Sequence, residues 1–205
     1  LGRMFGEKDP TVPMEAAADL RYQPPLVVPL NPPPANLEGD GEITMRDLVK
    51  NSLRMRPDRI ILGEVRGAEA MDMLQAMNTG HDGSLATCHA NRPREALMRL
   101  ENLVTMGALN LPSKAVKQQI ASAVHLIVQI SRMRDGMRRI TYISEIVGME
   151  GEVITMQDLF TFQYRGEDEN GKIIGDFSCT GVRPHFLSRA AYYGLDKELM
   201  EAMSG

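Results

Sequence analysis

A short, continuous apolar segment at residues 60–62, followed directly by Gly63 and Glu64, restricts the fold of this chain more than any other feature. Isoleucine and leucine without polar alternation are typical of a strand covered on both faces, as in a parallel sheet. The apolar residues after it recur with helical spacing: Ala70, Met73, Leu74 and Met77. A second short strand is predicted at residues 84–88. The order strand, helix, strand predicts an α/β protein with a mostly parallel sheet flanked by helices.

The rest of the chain adds helices on either side of this unit and hairpins toward the C-terminus. Thr44 and Asp47 form a capping pattern for a helix. Residues 124–130 alternate in the manner of a strand. Two hairpin signals, Asp135-Gly136 and Asn170-Gly171, place strands around three further segments: residues 138–147, 159–164 and 172–179. We therefore expect antiparallel hairpins to extend the parallel sheet.

Prolines separate the N-terminal segment from the remainder of the chain. Most of the 12 prolines lie between Pro10 and Pro34. Proline lacks a backbone N–H and is confined to the edges of sheets. Residues 25–30 are therefore the only strand predicted in this segment, at a sheet edge. A domain boundary is expected near residue 36, and the sequence from Glu38 onward has the pattern of predicted strands and helices that is typical of an α/β domain.

Composition excludes several classes of protein. At 43% hydrophobic residues the chain can bury a core, and no segment is long and apolar enough for a membrane-spanning helix. The net charge of −4 provides no basic field for nucleic acid, so no nucleic-acid partner is predicted. Cys88 and Cys179 are too few for a disulfide framework, which favours a reducing, cytoplasmic location.

Glu64 is the first candidate for chemistry. In open α/β sheets, ligands bind outside the carboxyl ends of the strands, and Glu64 follows the predicted strand directly. A carboxylate there can orient a water molecule, or hold the hydration shell of a phosphate-bound Mg²⁺ without coordinating the metal itself. The alternative is a surface glutamate paired with Arg66 or Arg59.

His81 and His89 flank the short predicted strand at residues 84–88, and we expect both to lie near the same sheet edge as Glu64. A zinc site formed by these histidines with Cys88 is the rival interpretation. Neighbouring residues on a strand point to opposite faces, and the chain has no C-x-x-C pair, so zinc is disfavoured. His125 and His185 are interpreted as structural.

Two stretches carry a resemblance to a known family. Residues 43–101 read ITMRDLVKNSLRMRPDRIILGEVRGAEAMDMLQAMNTGHDGSLATCHANRPREALMRLE, and residues 131–151 read SRMRDGMRRITYISEIVGMEG. These resemble the secretion ATPases of the CpaF/TadA type, which are pilus-assembly relatives of the type II and type IV secretion motors. The resemblance extends, without a gap, from about Glu38 to the C-terminus.

The resemblance implies a RecA-like P-loop NTPase core that hydrolyses ATP with Mg²⁺. It also implies a homo-hexamer on the cytoplasmic face of the inner membrane, attached peripherally through inner-membrane platform proteins. By the same resemblance, Glu64 is the Walker B acid, His81 and His89 belong to the His box, and Arg66 matches an arginine of the family. Three further arginines lie at positions suited to inter-subunit contacts: Arg46, Arg54 and Arg56.

The N-terminal segment departs from the family pattern. Glu15 matches an acid that the family places near the attacking water, whereas Ala16 replaces the acid expected next to it. No G-x-x-x-x-G-K-[ST] phosphate loop occurs in the sequence, so the loop is expected before Leu1. Residues 1–36 are accordingly interpreted as a remnant of the first half of the ATPase domain, and residues 37–205 as its C-terminal part. This chain alone is predicted not to hydrolyse ATP.

Two functions remain open at this point. The chain is either the C-terminal part of a working secretion ATPase or a non-hydrolysing, degenerate paralogue that serves as an assembly or regulatory subunit. A phosphate loop encoded shortly before Leu1 would favour the first, and a native start near Leu1 would favour the second.

Overall fold

A computed structural model of the chain describes residues 11–14, 28, 30, 42–107 and 111–204, with only the backbone path for residues 11–14. The chain divides into two compact units. The first holds the described residues up to His89 together with Met98–Ala123. The second holds Ala90–Leu97 and the residues from Val124 onward.

A parallel sheet forms the centre of the first unit. Its strands are β1 (Thr11–Met14), β2 (Arg59–Leu62) and β3 (Leu85–Ala86), in the order β1-β2-β3. β2 is the apolar segment seen in the sequence, and Ile60 and Leu62 are completely buried within it. Both pairings are parallel, with Val12 opposite Ile60 and Leu62 opposite Ala86. The predicted parallel sheet around residues 60–62 and 84–88 is confirmed.

β1 was not expected, because the proline content of the N-terminal segment argued against a strand there. Within the described sheet β1 has a neighbour only on the β2 side, and it contains Pro13. An edge strand tolerates proline because the missing N–H can face away from its neighbour. Of the strand predicted at residues 25–30, only Val28 and Leu30 are described.

Four helices accompany this sheet along the sequence: α1 (Met45–Arg54), α2 (Glu69–Asn78), α3 (Pro93–Gly107) and α4 (Ser113–Ala123). The capping box predicted for α1 is present, since the side chain of Thr44 accepts from the Asp47 N–H and the Asp47 carboxylate accepts from the Thr44 N–H. α2 contacts both α1 and α4. The fully buried side chains of these three helices include Val49, Met73, Leu74, Val116 and Ile120.

The second unit is built on an antiparallel sheet in the order β4-β5-β6-β7. This corrects the expectation that the hairpins extend the parallel sheet, since among the described strands β4–β7 pair only with one another and form a sheet of their own. Its strands are β4 (Leu126–Arg132), β5 (Arg138–Glu150), β6 (Val153–Glu167) and β7 (Ile173–Cys179). Gly136 and Gly171 adopt positive φ angles of 78° and 75°, which confirms the two predicted hairpin turns. β6 starts earlier than predicted, because a tight turn with Gly151 at φ 62° joins β5 to β6 directly.

Two short helices, α5 (Leu187–Tyr192) and α6 (Asp196–Ser204), complete the second unit. Their connection to the sheet runs through Glu145 of β5, which is only 2% exposed. Its carboxylate accepts hydrogen bonds from the backbone N–H groups of His185 and Phe186, at 2.8 and 2.7 Å. Among the helices in the described ranges, none has the length and apolar character needed to cross a membrane.

Candidate functional site at the carboxyl ends of β2 and β3

Glu64 and His89 meet at one edge of the parallel sheet because β2 and β3 run in the same direction. The hydrogen-bond ladder continues past both strands, from the Thr87 N–H to the Leu62 carbonyl at 3.3 Å and from the Val65 N–H to the Thr87 carbonyl at 2.8 Å. The Thr87 hydroxyl also donates to the Gly63 carbonyl. The turn that carries Glu64 is therefore fixed on β3 before it reaches α2.

Two basic side chains occupy the two oxygens of the Glu64 carboxylate. His89 Nε2 lies 3.0 Å from Oε1, and Arg66 Nη2 pairs with Oε2. The glutamate side chain is 17% exposed, whereas those of Arg66 and His89 are 70% and 82% exposed. The hydrogen bond from Arg66 lowers the pKa of Glu64 below its usual range, and the charges of Arg66, His89 and Arg99 act in the same direction. Glu64 is thus an ionised, half-enclosed carboxylate that faces the exposed side chains of Arg66 and His89.

Cys88 lies between the strand and His89, and burial raises the pKa of its thiol. Its thiol is therefore protonated at neutral pH, a poor state for a metal ligand. No cluster of three or more metal-ligating side chains occurs in the part of the chain that the structure describes.

His81 does not join Glu64 and His89, which corrects the expectation that both histidines lie at one sheet edge. His81 precedes β3, and its Nδ1 lies 3.1 Å from the Ala76 carbonyl near the end of α2. Its own carbonyl accepts from the Ser84 hydroxyl at 2.7 Å, and that hydroxyl oxygen accepts from the Ile60 N–H. His81 is therefore at the amino ends of β2 and β3, because residues that flank a strand lie at opposite edges of a parallel sheet.

The three arginines near α1 differ in their surroundings. Arg46 forms an ion pair with Asp72 of α2 at 2.6 Å and so joins two helices of its own unit. Arg54 and Arg56 are exposed and form no ion pair within the described residues. Arg56 has a φ angle of 52°, an uncommon value for a side chain other than glycine, at the point where the chain leaves α1 for Pro57.

The other predicted residues lie elsewhere. His125 and His185 belong to the second unit, where the N–H of His185 bonds to Glu145 and the ring of His125 lies 3.5 Å from Arg189. Glu15 and its neighbour Ala16 lie outside the described residues.

Two residues that sequence reasoning missed support the Glu64 turn. Glu69, at the first position of α2, is 8% exposed and accepts from the N–H groups of Arg66 and Gly67. An acid in the first turn of a helix is a recognisable signal, but it does not reveal that the side chain reaches back to Arg66. Thr87 carried no signal, because its partners belong to another strand.

Comparison with known proteins identifies the family of this α/β chain. The model of the type II/IV secretion system protein family matches residues 10–166. The chain belongs to this family, as the sequence resemblance predicted.

The relatives include a putative conjugal transfer protein of Mycobacterium tuberculosis, 45% identical over 156 residues, which span 75% of this chain and 44% of the relative. The conjugal transfer protein TrbB of Rhizobium radiobacter is 40% identical over 116 residues, 57% of this chain and 33% of the relative. The crystal structure of the VirB11 ATPase from the Brucella suis type IV secretion system, in complex with sulphate, superimposes with a TM-score of 0.59. It is 26% identical and the match covers 69% of this chain and 41% of that chain.

These likenesses confirm the predicted fold, a RecA-like α/β core of the secretion ATPases. The chain spans less than half of the length of each of these three relatives.

Proposed function

We propose that the chain is the C-terminal part of an ATPase motor that powers Flp/Tad-type pilus assembly or type II/IV secretion. In this proposal six copies form a ring on the cytoplasmic face of the inner membrane, held there by platform proteins of the apparatus. Family membership supports the motor class. The 45% identity to a putative conjugal transfer protein supports an envelope-spanning transfer apparatus as the machinery served.

One observation carries the proposal: an ionised carboxylate, Glu64, stands at the carboxyl ends of two parallel strands with basic side chains around it. This is the sheet edge at which α/β proteins bind ligands. A lowered pKa makes Glu64 a weak base, because a strong carboxylate acid gives up its proton readily. We therefore assign to Glu64 the orientation of water and of the hydration shell of Mg²⁺, rather than proton removal.

The charge around Glu64 suits the phosphates of ATP. The charges of Arg66 and Arg99 act on Glu64, and His89 adds a further donor when protonated. Positively charged donors in a partly enclosed site attract and stabilise phosphate oxygens. Bound Mg-ATP would supply the phosphoryl group for transfer to water. His89 and Arg66 hold the two oxygens of Glu64 until the nucleotide offers other partners.

The remaining parts of the proposal rest on the family resemblance. They concern a residue outside the described ranges and residues whose contacts in the structure do not by themselves indicate a role. Glu15 is proposed to lie near the attacking water, His81 to act within the His box, and Arg54 and Arg56 to reach a neighbouring subunit. Residues 1–36 and 37–205 are proposed as successive parts of one ATPase domain. The phosphate loop would come from the sequence before Leu1, so residues 1–205 alone should not hydrolyse ATP.

The experiment replaces Glu64 by Gln in the full-length gene product that carries this segment. The amide keeps the shape of the side chain and removes its charge. We expect nucleotide binding to persist and ATP turnover to fall by about 10²-fold or more, because the loss of a group that positions a reactant has an effect of this order. His89→Ala should also lower turnover, whereas His125→Ala and the exposed Glu150→Gln serve as controls that leave it near normal.

Steady turnover in Glu64→Gln, equal to that of the unaltered protein, would refute the assignment of Glu64. Equal losses in all four variants would point to a folding defect instead. A full-length protein that binds no Mg-ATP in isothermal titration would favour the non-hydrolysing, degenerate subunit, the second function that the sequence left open.

A further inference from the structure

Glu69 uses one carboxylate oxygen to hold two successive backbone N–H groups. Oε1 accepts from the Arg66 N–H at 2.6 Å and from the Gly67 N–H at 2.8 Å. The residue is 8% exposed, and a carboxylate at such a depth is stable only when hydrogen bonds replace its water. The contact also leaves little space, because a Cβ atom built on Gly67 would lie 3.2 Å from the other oxygen of Glu69.

The position of these two N–H groups gives the contact its importance. They belong to the peptide planes on either side of the Arg66 Cα atom, so one bound oxygen restricts both backbone dihedral angles of Arg66. The direction of the Arg66 Cα–Cβ bond is fixed as a result. The guanidinium is 70% exposed, and an exposed, flexible arginine gains little from an ion pair unless its backbone is already set.

Thr87 fixes the other end of the same turn. Its backbone and hydroxyl hold Gly63 and Val65, on either side of Glu64. Glu64 is therefore positioned from β3, and Arg66 is positioned from α2. The ion pair between them connects two separately anchored backbones.

We propose that Glu69 is a positioning residue, which aims Arg66 at Glu64 by holding the two peptide N–H groups that flank Arg66. The proposal rests on the function proposed for Glu64 and extends it by a residue that touches neither nucleotide nor water. Glu69 acts through the hydrogen bonds that its side chain is long enough to accept from these amides, and its negative charge at the start of α2 is secondary.

Three substitutions separate reach from charge. Glu69→Gln keeps an oxygen at the same distance and removes the charge. Glu69→Asp keeps the charge and withdraws the oxygen by one methylene. Glu69→Ala removes both. If the length of the side chain matters, Glu69→Gln behaves like the unaltered protein and Glu69→Asp behaves like Glu69→Ala. If Glu69 acts by placing a negative charge at the start of α2, Glu69→Asp behaves like the unaltered protein and Glu69→Gln behaves like Glu69→Ala.

Two measurements are made on each variant of the full-length protein. Amide hydrogen exchange by NMR should accelerate roughly tenfold or more at Arg66 and Gly67 in Glu69→Asp and Glu69→Ala, as expected when a buried hydrogen bond is lost. In the same variants the Arg66 guanidinium signal should change from restricted to freely rotating. ATP turnover should fall by roughly 10- to 100-fold in kcat, since small misplacements of positioned groups have effects of this order.

Asp168 supplies a matched control. One oxygen of its carboxylate also accepts from two backbone N–H groups, those of Asn170 and Lys172, at 2.9 and 2.8 Å. It lies in the hairpin between β6 and β7, in the second unit. Asp168→Ala should accelerate exchange at those two amides and leave turnover and the Arg66 signal unchanged.

A double substitution tests whether Glu69 acts through Arg66. Arg66→Ala should lower turnover in the unaltered protein and cause almost no further loss in Glu69→Ala, because the arginine is already misdirected there. Additive losses, or a guanidinium signal that stays restricted in Glu69→Ala, would overturn the proposal. If Glu64→Gln leaves turnover unchanged, the proposed function fails by itself, and the amide exchange and guanidinium signals still decide the role of Glu69.

Discussion

A buried carboxylate, Glu145, anchors the segment that leads into α5 and α6 to the antiparallel sheet, and its removal should release that segment. Glu145 is 2% exposed and accepts three hydrogen bonds: from Gln157 Nε2 at 2.7 Å, from the His185 N–H at 2.8 Å and from the Phe186 N–H at 2.7 Å. The helices themselves bury little, since Met203 is the single buried residue of α6 and α5 has none. We predict that Glu145→Ala detaches this segment.

The size of the effect follows from the bonds. A hydrogen bond to a charged group contributes about 1.5–3 kcal/mol, so three bonds set an upper limit of about 4.5–9 kcal/mol. The substitution also removes the cost of burying a charge, and the N–H of the exposed His185 can bind water instead. We expect a net loss of about 3–5 kcal/mol for Glu145→Ala. Glu145→Gln should lose less, about 1–3 kcal/mol, because one oxygen remains as an acceptor.

Native-state hydrogen exchange and limited trypsin digestion report the loss at the segment itself. In Glu145→Ala, amides of α5 and α6 should exchange faster, and cleavage after Arg189 should become rapid while β4–β7 stays protected. Glu150→Ala, an exposed position on the same strand, should change stability by less than about 0.5 kcal/mol. Exchange at α5 and α6 that matches the unaltered protein would refute the reasoning.

Two further predictions concern the same sheet. The pKa of Asp135 lies well below its usual range, first because of its hydrogen bond from Arg139 and then because of the N–H groups of Ile173 and Met137. A carboxyl with a depressed pKa stabilises the folded state above its unfolded pKa of about 3.9, and this stability is lost as the pH falls. Urea unfolding should therefore show a steeper loss of stability from about pH 4 to 2 than in Asp135→Asn, and parallel pH profiles would contradict this. Gly175→Ala should lower stability by roughly 1–3 kcal/mol, because the new Cβ would clash with the backbone carbonyl of Gln163 and lie 2.5 Å from Phe162 Cζ. Thermal unfolding measures the loss, and an unchanged midpoint would contradict this prediction.

Local signals in the sequence predicted a large part of the fold. The apolar run at residues 60–62 became β2, and the capping pair of Thr44 and Asp47 begins α1. Asp135-Gly136 and Asn170-Gly171 form the hairpin turns that joined the predicted strands. β1 was missed because its proline argues against a strand, and its position at the edge of the described part of the sheet makes the proline acceptable.

The candidate site was predicted in part. The position of Glu64 at a sheet edge follows from the strand that precedes it, and His89 follows a strand in the same way. The expectation for His81 was wrong in its geometry, because a residue before a strand and a residue after it lie at opposite edges. Arg46 was grouped with Arg54 and Arg56, yet its partner is Asp72, which lies far from it in the sequence.

The amino-acid sequence by itself determined the elements of this protein, since caps, turns and apolar periodicity act over a few residues that are neighbours along the chain. The tertiary structure decided which polar groups meet: Glu64 with Arg66 and His89, Glu69 with the turn before α2, and Glu145 with the segment before α5. A buried carboxylate accepts hydrogen bonds from the donors that strand register and chain reversals place next to it. Local sequence patterns do not predict which donors these are, because the donors can lie far away along the chain. The family resemblance predicts that Glu64 is the Walker B acid, and the contacts that position Glu64 are properties of the folded chain.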